Sequence, residues 1–186
     1  KIMLAVVAIF ASITNASYAA RGTDGNVSIV YWQAPSILNP YLSSGTKDIE
    51  SASLVIEPLG RYTETGALVP FLAKEIPTVA NGGVSPDLTS ITWTLQEGLL
   101  WSDGTPVTSA DVKFSADYCM HPEGGCSQLA KFDGIKSISI PDDLTIVVTF
   151  EGPMPNPYGP FMGGQTPIIQ KAQFENCLGP KAQQCT

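Results

Sequence analysis

Histidine is almost missing from this chain: one residue, His121, in 186. A single imidazole excludes a multi-histidine metal centre and most of the acid–base chemistry that imidazole performs near neutral pH. Basic side chains are scarce as well, ten against seventeen acids, for a formal charge of −7. Affinity for a phosphate backbone comes from clustered Lys and Arg, so this balance argues against a general nucleic-acid binder. Charged residues make up only 15% of the chain and apolar ones 44%, which excludes an intrinsically disordered polymer. What is plentiful is punctuation. Seventeen glycines and fifteen prolines are too many for a helical bundle and point to turns and strands.

Long apolar runs are also missing, except at the start. Lys1 precedes twelve uncharged, mostly apolar residues (2–13), and Ser17-Tyr18-Ala19 places small residues at the two positions a signal peptidase reads. This pattern predicts a secretory signal peptide over 1–19, cut after Ala19. A membrane anchor is disfavoured, because a bilayer span needs about 20 apolar residues. No cysteine follows the cut, so a lipid anchor there is not indicated. Removing 1–19 takes one lysine and no acid. The expected product is exported, acidic and soluble, in the periplasm.

Only four cysteines occur, and export makes them readable. Cys119 and Cys126 lie seven apart, Cys177 and Cys185 eight apart. Four cysteines allow three pairings, and sequence alone does not choose among them. The local pairing is favoured because each loop is short and contains Gly or Pro. A zinc site fails, since CxxC spacing is missing and scattered thiols oxidise in that compartment.

Periodicity predicts mixed α and β elements. Residues 27–32 alternate as a strand, broken by 33–36. An irregular loop over 38–45 contains Pro40 and Gly45. A helix is expected over 46–56, with Ile49, Ala52 and Ile56 on one face and Pro58 ending it. A short strand runs from Gly60 into a turn at 63–67, and 71–75 suits one helical turn before Pro77. Residues 91–95 form a strand with Ile91, Trp93 and Leu95 inward. Thr108 is a good N-cap for a helix reaching about Cys119, with Asp111 in its first turn. Strands over 135–140 and 145–150 form a hairpin through 141–144.

The order of motifs resembles a known family. Residues 68–73 (LVPFLA), Thr92-Trp93-Thr94-Leu95-Gln96-Glu97-Gly98, and the run from Trp101-Ser102-Asp103-Gly104-Thr105-Pro106 to Phe114 resemble the signature of family 5 extracellular solute-binding proteins. These are the peptide- and nickel-binding subunits of ABC importers. Leu38-Asn39-Pro40, Glu57-Pro58-Leu59 and 138–150 agree in order, so the likeness spans about 27–185. It implies an α/β type II periplasmic-binding-protein fold, mixed α+β in its peripheral part. Family members run to several hundred residues, so the resemblance implies the N-terminal portion of a two-lobed protein: residues 20–186 would be the start of lobe I and its extra subdomain, without the C-terminal lobe.

The implied function is substrate binding for an ABC importer: a monomeric receptor that captures a short peptide, or a similar small solute, and delivers it to the permease subunits. No cofactor, metal or nucleic acid is implied. By position, Ser44, Gly45, Thr46 and Lys47 match a loop that lines the cleft in oligopeptide-binding relatives. Gln33 ends the first predicted strand, where open α/β sheets bind ligands. The competing class is a secreted hydrolase or a carbohydrate-binding domain. It would need a converging nucleophile, base and orienting group, and the candidates are isolated. Asp103-Gly104-Thr105 lacks the preceding aspartate of a phosphatase motif and reads as a turn. Asp142-Asp143 and Glu50/Glu57 read as solvated acids, His121 as a surface loop residue, and Asn26-Val27-Ser28 as a chance glycosylation pattern.

Overall fold

The computed structural model describes residues 25, 26 and 28–185. The predicted signal peptide and its cut lie outside them. The chain divides into a first unit, Lys1–Tyr31, and a second, Trp32–Thr186. In the first, the described residues run without helix or strand. The predicted strand over 27–32 is therefore not formed: Val27 is outside the described residues, and 28–32 join no ladder among them. Alternation supplies a side-chain pattern, but a strand also needs a neighbouring strand to pair with in register. Val30 stays 98% exposed.

The second unit is built on a three-stranded antiparallel sheet. Its strands are Ser90–Thr94, Ile135–Asp142 and Thr145–Phe150. With Gly60–Tyr62 as β1 and Leu68–Pro70 as β2, these are β3, β4 and β5, in the order β3-β5-β4. Ile91 and Trp93 on β3, with Leu95 just beyond it, are buried, as are Ile146, Val148 and Phe150 on β5. That is the period of two the sequence showed. The predicted hairpin forms, with β4 running on through Pro141 and Asp142 so that the loop shrinks to Asp143 and Leu144. The short strand expected near Gly60 also gains a partner, since β1 pairs antiparallel with β2.

Helix α2 (Ser109–Met120) packs on this sheet and buries Val112, Phe114, Ala116, Tyr118 and Cys119. Thr108 caps it, its own N–H donating to the Asp111 carboxylate at 2.9 Å, the return bond of a capping box. Asp111 is itself buried and also accepts from the backbone N–H of Lys171 at 2.8 Å. The same carboxylate thus ties the helix start to the short helix Lys171–Phe174, α3. Trp93, Phe114 and the partly buried Trp101 join the core as expected.

Two helical expectations change. Helix α1 covers Thr46–Ala52 and stops short of Ile56. The Ser53 hydroxyl donates back to the Ile49 carbonyl at 2.8 Å, and Arg61 Nη2 takes the Ser53 carbonyl at 3.1 Å. Side-chain competition of this kind ends a helix. Residues 71–75 form no helical turn, because distant segments take their backbone groups: Phe71 and Ala73 N–H donate to the Leu59 carbonyl, and Lys74 N–H to that of Thr94.

Both local disulfides are present, Cys119–Cys126 and Cys177–Cys185, with Cα separations of 5.0 and 5.8 Å. The two closed loops pack on each other. His121, expected in a surface loop, lays its half-buried ring over Gly179, where a Cβ would come within 2.6 Å of Cε1. Gly179 also has φ of +62°, so glycine is required twice over.

Candidate functional site

The residues singled out for solute contact sit on the chain entering α1. Ser44, Gly45, Thr46 and Lys47 are contiguous there, and one carboxylate organises them. Asp48, 3% exposed, accepts from the Ser36 N–H at 2.6 Å, the Ser43 hydroxyl at 2.7 Å and the Lys47 ammonium at 2.8 Å. The Ser43 oxygen in turn accepts from the Gly45 N–H at 3.0 Å. Hydrogen bonds from Lys47, Ser43 and Ser36 hold the Asp48 carboxyl far below the usual carboxylate range, since each favours the charged form. The chain three residues past Gln33 is tied to the same carboxylate through the Ser36 N–H.

A second set of polar bonds fixes this loop to the core. Asn39 accepts from the Tyr41 N–H at 3.1 Å and donates to the Tyr118 hydroxyl at 3.1 Å. The Tyr41 hydroxyl, wholly buried, donates to the Pro167 carbonyl at 2.6 Å, and burial pushes its pKa upward. Gln128, also buried, donates to the carbonyls of Pro40 and Ser43 at 3.3 and 2.8 Å. Buried polar groups persist only when satisfied in this way.

With these bonds made, the loop turns a particular set of groups outward. Gln33, Ser44 and Thr46 are exposed. Gly45 is half-buried, and a Cβ there would lie 3.1 Å from Asp48 Oδ2 and 3.3 Å from Ser43 Oγ. Lys47 points inward. Its side chain is 13% exposed and meets both Asp48 and the Ser36 hydroxyl. That contact does not make a nucleophile–base pair, because the same ammonium is ion-paired with Asp48. Beside the loop lies a groove of about 350 Å³ lined by Ile37, Leu38, Asn39, Ile56, Ile169 and Phe174. Apolar walls with a few fixed polar groups are the usual makeup of a small-molecule site.

Asp48, Asn39 and Gln128 were not singled out from sequence. Asn39 had a signal, since an Asn before Pro commonly caps a turn. Asp48 and Gln128 had none, because their partners are chosen by the fold. Elsewhere, Asp103 is pushed down to about 2 by hydrogen bonds from the Thr105 hydroxyl and the Gln170 amide, which makes it a turn anchor. Among the described residues, no three His, Cys, Asp or Glu side chains come together to hold a metal ion. No helix among them is long and apolar enough to cross a membrane.

Comparison with known proteins places this geometry in context. The family "Bacterial extracellular solute-binding proteins, family 5 Middle" matches residues 67–183. The probable peptide ABC transporter periplasmic-binding protein y4tO of Sinorhizobium fredii is 38% identical over 77 residues, 41% of this chain and 14% of that protein. Among solved structures, Haemophilus influenzae OppA in complex with RPPGFSPFR superposes with a TM-score of 0.67 at 20% identity, over 77% of this chain and 30% of that one. The PBP AgaA from A. tumefaciens R10, in complex with agropinic acid, gives 0.67 at 28% identity over 77% and 28%. The fold is that of the type II periplasmic binding proteins, and the chain spans less than a third of the length of these relatives.

Proposed function

The chain belongs to family 5 of the bacterial extracellular solute-binding proteins, and from that premise we propose that it serves in the substrate-binding subunit of an ABC importer. It captures a short peptide, or a similar small solute, in the periplasm and delivers it to the membrane permease without a chemical step. The observation that carries this reading is the family match over 67–183, supported by superposition on a peptide-loaded relative. The loop geometry supports it further. Gln33, Ser44 and Thr46 offer exposed hydrogen-bonding side chains beside a pre-fixed rim, and Lys47 acts as a positioning residue beneath them. Pre-fixing lowers the ordering cost of binding.

Mass spectrometry of the protein, expressed from its complete reading frame and denatured to release what copurifies, tests the proposal. The expected result is a small peptide-like molecule released chemically intact. A protein that carries no small molecule, and that cleaves added peptides, would instead place it with the hydrolases.

A further inference from the structure

The rim described above contains one cation, Lys47, and that cation is already covered. Its ammonium sits 2.8 Å from Asp48 Oδ1, its second contact is the Ser36 hydroxyl, and little of the side chain reaches solvent. Two of its three N–H donors are therefore occupied from inside the protein. Asp48 is covered in the same way, by backbone N–H groups and the Ser43 hydroxyl. The pair is a locally neutral unit, and the groups left outward at 33, 44 and 46 are an amide and two hydroxyls.

From this we infer that the part of the solute meeting this rim is an uncharged hydrogen-bonding group, such as a peptide amide or a hydroxyl, and that Asp48 enforces the selection by neutralising Lys47. The inference rests on the reading that the rim faces the solute. A carboxylate arriving here would find no free cation and would surrender its own hydration, which is the unfavourable case for a buried charge. An amide or hydroxyl gives up less and finds both donors and acceptors. Asp48 thus acts as a specificity-positioning residue.

The test uses the protein from its complete reading frame, stripped of bound solute by unfolding and refolding. It is offered a random tripeptide mixture, once as free acids and once as C-terminal amides, and the retained peptides are counted by mass spectrometry. The double replacement Lys47→Met with Asp48→Asn removes the pair without leaving a charge and should keep the wild-type ratio of acids to amides within about twofold. Asp48→Asn, which uncovers the ammonium, should shift retention toward free acids and Asp- or Glu-bearing peptides by about tenfold, an enrichment that added salt removes. If the double variant instead loses free acids by about ten- to a hundredfold, the ammonium meets a solute anion and the inference is overturned. An unchanged ratio in a folded Asp48→Asn protein overturns it as well. Should Asp48→Asn fail to refold, the double variant decides alone. A wild type that retains neither mixture is a separate outcome: it sinks the peptide reading, and this inference with it.

Discussion

The sheet with α2 and the loop entering α1 are held by opposite kinds of force. The β3-β5-β4 sheet buries Ile91, Trp93, Ile146, Val148 and Phe150 against Val112 and Phe114, so its stability comes from apolar area removed from water. Apart from Tyr41, whose ring is buried in that core, the loop over 36–48 has little apolar interior of its own. It is held by three buried polar residues, Asn39, Asp48 and Gln128, each satisfied by several hydrogen bonds. Apolar packing is strong but non-directional, whereas a satisfied polar network fixes geometry. Stability and placement are therefore separable in this protein, and mutations should separate them.

The largest expected effect is in the core. Trp93 is 1% exposed and meets Tyr158 edge-on at 6.4 Å between ring centroids. Trp93→Ala should cost about 3–5 kcal/mol, read as a lower denaturant midpoint, while the protein that remains folded still binds solute. Next comes the Cys177–Cys185 bridge, which closes a loop whose Gly179 carries the His121 ring. Replacing both cysteines by serine should cost about 2–3 kcal/mol. A melting curve would show that drop, and reductant, which opens both bridges, should lower the wild type below the untreated variant.

A smaller effect follows from pH. Asp48 and Asp103 have folded-state pKa values below the ordinary carboxylate value, so the folded state binds fewer protons than the unfolded one. Their contribution is complete above roughly pH 4, the unfolded value, and is lost as pH falls through the folded values. Urea unfolding across the acid range should show stability dropping on the acid side, with a shallower drop in Asp48→Asn. The smallest effect on stability, and the one that sharpens the contrast, is at Thr46. Its side chain is exposed at the start of α1, so Thr46→Ala should move stability by no more than about 0.5 kcal/mol. Calorimetric titration should nonetheless show weaker solute binding.

The same contrast explains how much could be read in advance. Ile91, Trp93 and Leu95 announce β3 by alternation, and 145–150 do the same for β5, because a buried face imposes its period on the residues that cover it. Thr108 and Asp111 announce the start of α2 through local capping, and the disulfides follow from short loops. The failures are places where distant partners decide. Residues 28–32 have the pattern of a strand but no ladder, 71–75 give their N–H groups to Leu59 and Thr94, and α1 loses its last turn to Ser53 and Arg61. At the rim, the loop over 44–47 was picked out through the family resemblance as a candidate for solute contact. Asp48 was not, because a lone aspartate in a helix's first turn looks solvated until Ser36, Ser43 and Lys47 are folded around it.

The central claim is that this rim is fixed before any solute arrives, with Asp48 as its anchor. Amide hydrogen exchange on the solute-free protein tests it most directly at Ser36 and Gly45, whose N–H groups reach Asp48 and Ser43. The account predicts that both amides are protected in the wild type and that Asp48→Asn strips this protection while leaving that of Trp93 and Val148 intact. Exchange at Ser36 and Gly45 as fast as in an unstructured peptide, in the solute-free wild type, would contradict it.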